Sequence, residues 1–276
     1  MQNFYNQKLK KLINNKIPNP ELDLRLIIKR SQKINKDYME NKNEIENLNI
    51  KKFNNFFKRR INGEPISKIF KNREFWSLDF FINNNVLDPR PETEFILEGI
   101  IKHLPNQNKK YTICDLGTGS ACIIISFLKE YKNSIGIGVD ISKSAIKVAN
   151  KNSLKHNTQK RLELKTTNWK NMNQYFDIIV SNPPYIKNTE YKKLQKEVKN
   201  YDPKISLLGG ETGLKKISEL TDIAYRCMKK NSIFLMEIGH KQKCQVEKMF
   251  LKNNLYLIDT LKDLQGIDRI LIFKKN

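Results

Sequence analysis

The sequence predicts an α/β protein: a doubly wound, mostly parallel sheet with a small helical domain in front of it. Three observations predict it. From about residue 89 onward, short apolar runs alternate with amphipathic stretches of helical length, the pattern of strand–helix–strand units. A glycine turn, Gly117-Thr118-Gly119, stands between one such run and the helical stretch after it. Residues 1–75 carry helical periodicity only.

The elements follow in order. Asn19 and Pro20 predict a helix start, with Asn19 as its cap and Pro20 in the first turn. Ile45, Leu48, Phe53, Phe56, Phe57 and Ile61 recur at helical spacing and predict one amphipathic helix, ended by Gly63 and Pro65. Such helices bury little surface alone, so residues 1–75 are expected to form a small bundle that docks on a partner. In residues 76–88, apolar residues flank Asn83-Asn84-Asn85, which predicts a β-hairpin linker turning at the asparagines. The main domain, 89–276, should hold strands at 112–116, 134–140, 162–166, 176–181 and 232–238. Helices should span 121–131 and 142–156, and 255–261 with 269–274 should close the sheet as an antiparallel pair.

The chain has 276 residues, 39% of them hydrophobic, enough for one large or two modest domains. No apolar run reaches about 18 residues, so no membrane span is expected. Residues 1–16 lack a continuous apolar core and do not read as a secretory leader. Cys114, Cys122, Cys227 and Cys244 form no C-x-x-C, and no histidine stands at ligand spacing from them. Buried free thiols in a reducing cytoplasm, with no metal, are the expectation. The net charge of +22 suits a nucleic-acid partner. Only nine of the basic residues are arginine, however, and Lys, Asn and Ile are abundant throughout, as AT-rich codons would also produce.

The chemistry concentrates at predicted strand ends. Gly117, Thr118, Gly119, Ser120 and Ala121 follow a strand and open a helix, where glycines let backbone approach a ligand closely. Asp140 ends the next strand, where an acid can accept from both hydroxyls of a ribose. Dinucleotide enzymes share that arrangement. Asn168-Trp169 ends the third strand; Trp169 could pack on an adenine ring, or belong to the core, and Asn168 could bond the adenine amino group. The fourth strand runs into Asn182-Pro183-Pro184-Tyr185, a stiff turn at the sheet's carboxyl edge.

That turn suits transfer to a planar nitrogen. Such a nitrogen is a weak nucleophile because its lone pair is delocalised. The Asn182 side-chain carbonyl and the Pro183 backbone carbonyl can each accept one N–H of an NH2 group and aim its lone pair. Pro184 stiffens the turn, and Tyr185 can stack on the acceptor. Positioning of this kind can supply about 7–11 kcal/mol of a barrier. On this reading Asn182→Asp falls between Ala and wild type, and Tyr185→Phe is mild because the ring alone acts.

Asp115-Leu116-Gly117-Thr118-Gly119-Ser120, Val139-Asp140-Ile141-Ser142 and Asn182-Pro183-Pro184-Tyr185 resemble class I methyltransferases dependent on S-adenosylmethionine (SAM), which carry a Rossmann-like doubly wound sheet. Further segments are similar to the peptide chain release factor N5-glutamine methyltransferases, the HemK/PrmC family. They are Gly63-Glu64-Pro65-Ile66, Glu74-Phe75-Trp76, the run from Val86 through Pro89-Arg90-Pro91-Glu92-Thr93-Glu94, Asp202-Pro203 with residues 207–214, Glu237-Ile238-Gly239-His240-Lys241-Gln242, and residues 263–269. The resemblance covers the chain from about residue 59. It implies a cytoplasmic enzyme that methylates N5 of the glutamine in the Gly-Gly-Gln loop of release factors, with SAM as co-substrate and no metal. It implies SAM contacts at Gly117 to Ala121, Asp140, Asn168, Trp169 and Asn182, and acceptor contacts at Asn182, Pro183, Pro184 and Tyr185, with Asn182, Pro183 and Tyr185 as the catalytic group. Residues 89–94 should lie beside the methionine end of SAM. A monomer is expected, with release factors as protein partners, no membrane, and no need for stable nucleic-acid binding. Lys68, Asp202 and Asn168 stand where the family usually has Tyr, Glu and Asp. The competing readings are an adenine or guanine methyltransferase, an enzyme acting on a ribosomal-protein glutamine, and a basic binding module without catalysis.

Overall fold

The computed structural model of the chain describes residues 2–32 and 48–275. Contacts divide it into two units, Met1–Phe70 with Lys196–Tyr201, and Lys71–Gln195 with Asp202–Asn276.

The first unit is helical: α1 (Gln2–Asn14), α2 (Pro20–Arg30), α3 (Ile50–Ile61) and α4 (Ile66–Phe70). Its core is made by Leu12, Leu24, Ile27, Ile28, Phe53 and Phe57, with the Phe53 and Phe57 rings stacked at 5.4 Å. Pro20 opens α2 as expected, but the Asn19 side chain makes no cap bond. The cap that forms is Asn49, whose side chain accepts from Lys52 N at 3.0 Å. Leu48 therefore lies ahead of α3, in a bridge with Gln32, and Ile45 falls outside the described residues. Gly63, at φ +87°, ends the segment in a conformation that glycine adopts freely. Lys68, one of the family departures, is buried in α4.

The second unit opens on a hairpin, β1 (Asn72–Phe75) and β2 (Leu78–Phe81). The expected turn at Asn83-Asn84-Asn85 is corrected. The hairpin reverses at Trp76 and Ser77, both at positive φ, 51° and 55°, which is the twist a two-residue hairpin turn requires. Neither is a residue that favours such torsions, and tertiary bonds hold Trp76. Trp76 N donates to Glu94 Oε1 at 2.9 Å and Trp76 Nε1 to Glu130 Oε1 at 2.8 Å. The asparagines form a separate turn after β2, with Val86 N donating to Asn83 O. The helical unit accordingly stops at Phe70, and 72–75 pairs within the second unit.

A 3-10 turn, Pro91–Glu94, leads into α5 (Phe95–His103). Then come β3 (Thr112–Leu116), α6 (Cys122–Glu130), β4 (Ile135–Asp140), α7 (Lys143–Lys155), β5 (Leu162–Thr166) and β6 (Phe176–Ser181). After them come α8 (Asn188–Tyr191), α9 (Lys196–Tyr201), α10 (Lys215–Cys227), β7 (Met228–Glu237), α11 (Lys243–Leu251), β8 (Leu255–Lys262) and β9 (Asp268–Lys275). The seven-stranded sheet runs β5-β4-β3-β6-β7-β9-β8. The strands from β5 to β7 are parallel, and β9 is antiparallel to both its neighbours.

Both faces of the sheet are buried, and successive residues serve opposite faces. Ile178 and Val180 enter one core with α5 and α6, while Ile179 between them enters the other with α10 and α11. The α9 helix belongs with the helical unit because Arg60 reaches it. Arg60 Nε binds Asp23 Oδ2 at 2.6 Å and its Nη2 binds Glu197 Oε1 at 2.5 Å.

Candidate active site

The chain reverses its direction of winding between β3 and β6, and the candidate residues come from the carboxyl ends of these strands and their neighbours. After β3, Gly117 and Gly119 adopt φ of 82° and 54°. Ala121 follows at φ 63° as the residue capping α6. Gly117 N and Thr118 N both donate to Val139 O at 2.9 Å, which ties the turn to β4. Gly138 leaves room for this, since a Cβ there would stand 2.9 Å from Thr118 Oγ1.

Asp115 sits under the turn, 1% exposed. Thr118 Oγ1 donates to its Oδ2 at 2.7 Å, and its Oδ1 has no partner. Burial, with the nearby Asp140 charge, pushes its carboxyl up to about 7 despite the Thr118 bond. A folded-state value above the unfolded one means that the folded protein binds this proton more tightly. Its contribution to stability is complete below about pH 4 and is lost as pH rises toward 7, at up to about 1.4 kcal/mol per pH unit. Asp115→Asn should flatten that slope. Urea midpoints from pH 5 to 7 with the wild-type slope intact would contradict the assignment.

Asp140 ends β4. Its Oδ2 accepts from Gly119 N at 3.1 Å and its Oδ1 from Ser142 N at 2.8 Å. Each oxygen keeps a further lone pair for a ligand hydroxyl. Trp169 lies against the turn, and a Cβ on Gly117 would meet its ring at 3.4 Å. Its Nε1 donates to Glu219 Oε2 at 3.2 Å. Asn168 Oδ1 is already engaged locally, accepting from Lys170 N at 3.0 Å.

These groups line one cleft of about 1070 Å³ that includes its open mouth. Gly117, Thr118, Gly119, Ser120, Asp140, Asn168, Trp169, Asn182 and Pro184 all face it, and Val86 and Ile205 add apolar wall. Three expected residues stand outside that lining. Ala121 is fully buried in the core, Pro183 is buried, and the Tyr185 ring packs on the core beneath the cleft.

Behind Asn182 is a residue that the sequence offers only as part of a family-like run, with no role attached. Glu237 ends β7 and is 2% exposed. Asn182 Nδ2 donates to its Oε2 at 2.9 Å, Thr93 Oγ1 donates to the same oxygen at 2.6 Å, and Tyr185 OH donates to Oε1 at 2.9 Å. Burial pushes the Glu237 carboxyl up, and the Thr93 and Tyr185 hydroxyls oppose that. The Glu237 charge and burial together push the Tyr185 phenol well up. The available signal was an acid at the end of an otherwise apolar run, Ile233-Phe234-Leu235-Met236.

The Tyr185 hydroxyl therefore has work of its own. Tyr185→Phe leaves Glu237 Oε1 buried and unpaired, and should cost about 1–3 kcal/mol of stability, a cost separate from the mild effect on transfer expected from the ring alone. A thermal midpoint equal to wild type would contradict this. Gln242 braces the same turn, with Nε2 donating to Tyr185 O at 3.2 Å and Oε1 accepting from Gly239 N at 2.8 Å. At the cleft rim, Asp202 accepts from Arg90 Nη2 at 2.8 Å and from Asp88 N at 3.0 Å. The shorter acid at this family departure thus fastens residues 88–90 to the segment carrying Pro203 and Ile205. Cys114, Cys122 and Cys227 are buried thiols, whereas Cys244 is exposed.

A family model described as a methyltransferase domain matches residues 107–270. A bifunctional methyltransferase of Rickettsia bellii is 35% identical over 98% of this chain and 54% of its own length. The chain spans about half the length of the bifunctional relatives it matches. A release factor glutamine methyltransferase of Caulobacter vibrioides is 33% identical over 94% of this chain and 91% of its own length. The chain belongs to the release factor glutamine methyltransferase family. A solved methyltransferase of Pyrococcus furiosus, 17% identical, superposes with a TM-score of 0.53 over 80% of this chain and 98% of its own, a likeness of fold. The family's class I methyltransferase sheet is the one described above. Among the described residues no helix is long and apolar enough to cross a membrane.

Proposed function

We propose that the chain transfers the methyl group of SAM to the side-chain amide nitrogen of the glutamine in the Gly-Gly-Gln loop of release factors, in the cytoplasm. The observation that carries this reading is Asn182 at the cleft, with its amide nitrogen tied back to Glu237 and Thr93. A carbonyl oxygen is then the group it offers. The family relationship supports the same acceptor.

The residues fit SAM. Gly117 and Gly119 supply backbone without side chains beside the cleft, Asp140 offers free lone pairs to the ribose, and Trp169 offers an aromatic face to the adenine. When bound, SAM supplies a sulfonium methyl activated for displacement. The chain's own residues then position and desolvate. Asn182 Oδ1 and the Pro183 carbonyl each accept one N–H of the glutamine amide and direct its nitrogen. Pro183-Pro184 keeps that pair of acceptors rigid. Pro184, Pro203 and Ile205 exclude water around the acceptor. The proton leaves the nitrogen after transfer, so the site requires no strong base.

The test is a competition. The enzyme is incubated with labelled SAM, release factor, ribosomal proteins and RNA together, and the labelled pool is read. Label in release factor is expected. Label confined to RNA would favour the nucleic-acid reading, for which the +22 charge speaks.

A further inference from the structure

We propose that Glu237 is a positioning residue for methyl transfer: it holds the Asn182 amide nitrogen so that Oδ1 is presented to the acceptor. This rests on the reading of Asn182 given above.

Asn182 Nδ2 lies 2.9 Å from Glu237 Oε2 and 3.1 Å from Thr93 Oγ1, and these two oxygens are themselves 2.6 Å apart, so the amide nitrogen donates toward both on one side. Thr93 spends its own proton on the same carboxylate oxygen at 2.6 Å, so toward Asn182 it offers a lone pair. An ionised carboxylate has no proton to give. Turning the amide over would set Oδ1 against the Glu237 carboxylate oxygen and the Thr93 oxygen whose proton is already spent on that carboxylate. The amide of Asn182 is thereby fixed in one sense. Oδ1 is the acceptor of a side chain that lines the cleft. An amide free to flip would offer a donor half of the time, and a donor repels the N–H that must be gripped. Tyr185 completes the set by donating to Oε1 at 2.9 Å, which keeps the carboxylate from rotating away. A buried carboxylate that merely tied loops together would serve equally well with either face of Asn182, and a charge swap separates the two roles.

Asn182→Asp places a second carboxylate against Glu237 and repels it. Adding Glu237→Gln lets the new glutamine amide donate to one oxygen of the introduced acid. The other oxygen still faces the cleft as an acceptor. Single-turnover transfer to release factor is measured at saturating SAM for wild type, Asn182→Asp, Glu237→Gln and the double variant. Asn182→Asp should lose about 10²-fold or more. The double variant should regain at least about tenfold over Asn182→Asp. SAM affinity by calorimetry should stay flat across the set, so that the change is in turnover and not in binding. A double variant that is folded by circular dichroism yet no faster than Asn182→Asp overturns the proposal. A double variant that regains thermal stability without regaining transfer overturns it too, because that is the signature of a loop tie. Failure of the wild-type arm to methylate release factor would sink the functional reading itself, which separates that failure from this one.

Discussion

Asp140→Ala is expected to weaken SAM binding by about 10²–10⁴-fold in calorimetry. The carboxylate can accept two hydrogen bonds from the ribose, at about 1.5–3 kcal/mol each. The structure adds a second loss. The same carboxylate holds Gly119 N and Ser142 N, so its removal also frees the glycine turn. Asp140→Asn should be milder than Ala, because it keeps one acceptor and much of the shape. Wild-type affinity in Asp140→Ala would remove the ribose from this strand end.

Asn182→Ala is expected to slow single-turnover transfer by about 10²-fold or more while leaving SAM affinity nearly unchanged. The magnitude follows from removing one preorganised electrostatic contact in a closed site. An N–H of the acceptor is left unpaired, and the Pro183 carbonyl alone does not fix the nitrogen's direction. Asn182→Asp, expected from sequence alone to lie between Ala and wild type, should fall to the level of Ala or below. Beside Glu237 it would bring a second carboxylate against a buried one. Transfer at the wild-type rate in Asn182→Ala would make the Asn-Pro-Pro-Tyr turn a structural corner only.

Much of the second unit was legible because its signals are local. Within Phe176–Ser181, Ile178-Ile179-Val180 is the apolar run that a strand buried on both faces must have, and the strand ends where the sequence predicts. Gly117 and Gly119 mark a turn that few other residues can make. The misses have a common cause, since each depends on distant partners. Trp76 and Ser77 turn a hairpin against their own torsional preference because Glu94 and Glu130 hold Trp76. The three asparagines, which look more like a turn, were free to make one elsewhere. Lys196–Tyr201 joins the helical unit through Arg60, which no pattern within 196–201 reveals. The site divides the same way. Asn182 stands out by its proline neighbours, but Glu237 and Thr93 act through side chains that only the fold brings together. Tyr185 looked like a stacking ring because its hydroxyl partner lies on another strand.

The most direct measurement is fragment mass spectrometry of release factor after incubation with enzyme and SAM. The account predicts a single added methyl on the side chain of the glutamine in the Gly-Gly-Gln loop, absent when Asn182→Ala replaces the wild-type enzyme in a single-turnover reaction of matched duration. A methyl group on any other side chain, or an unmodified release factor alongside methylated RNA, would contradict it.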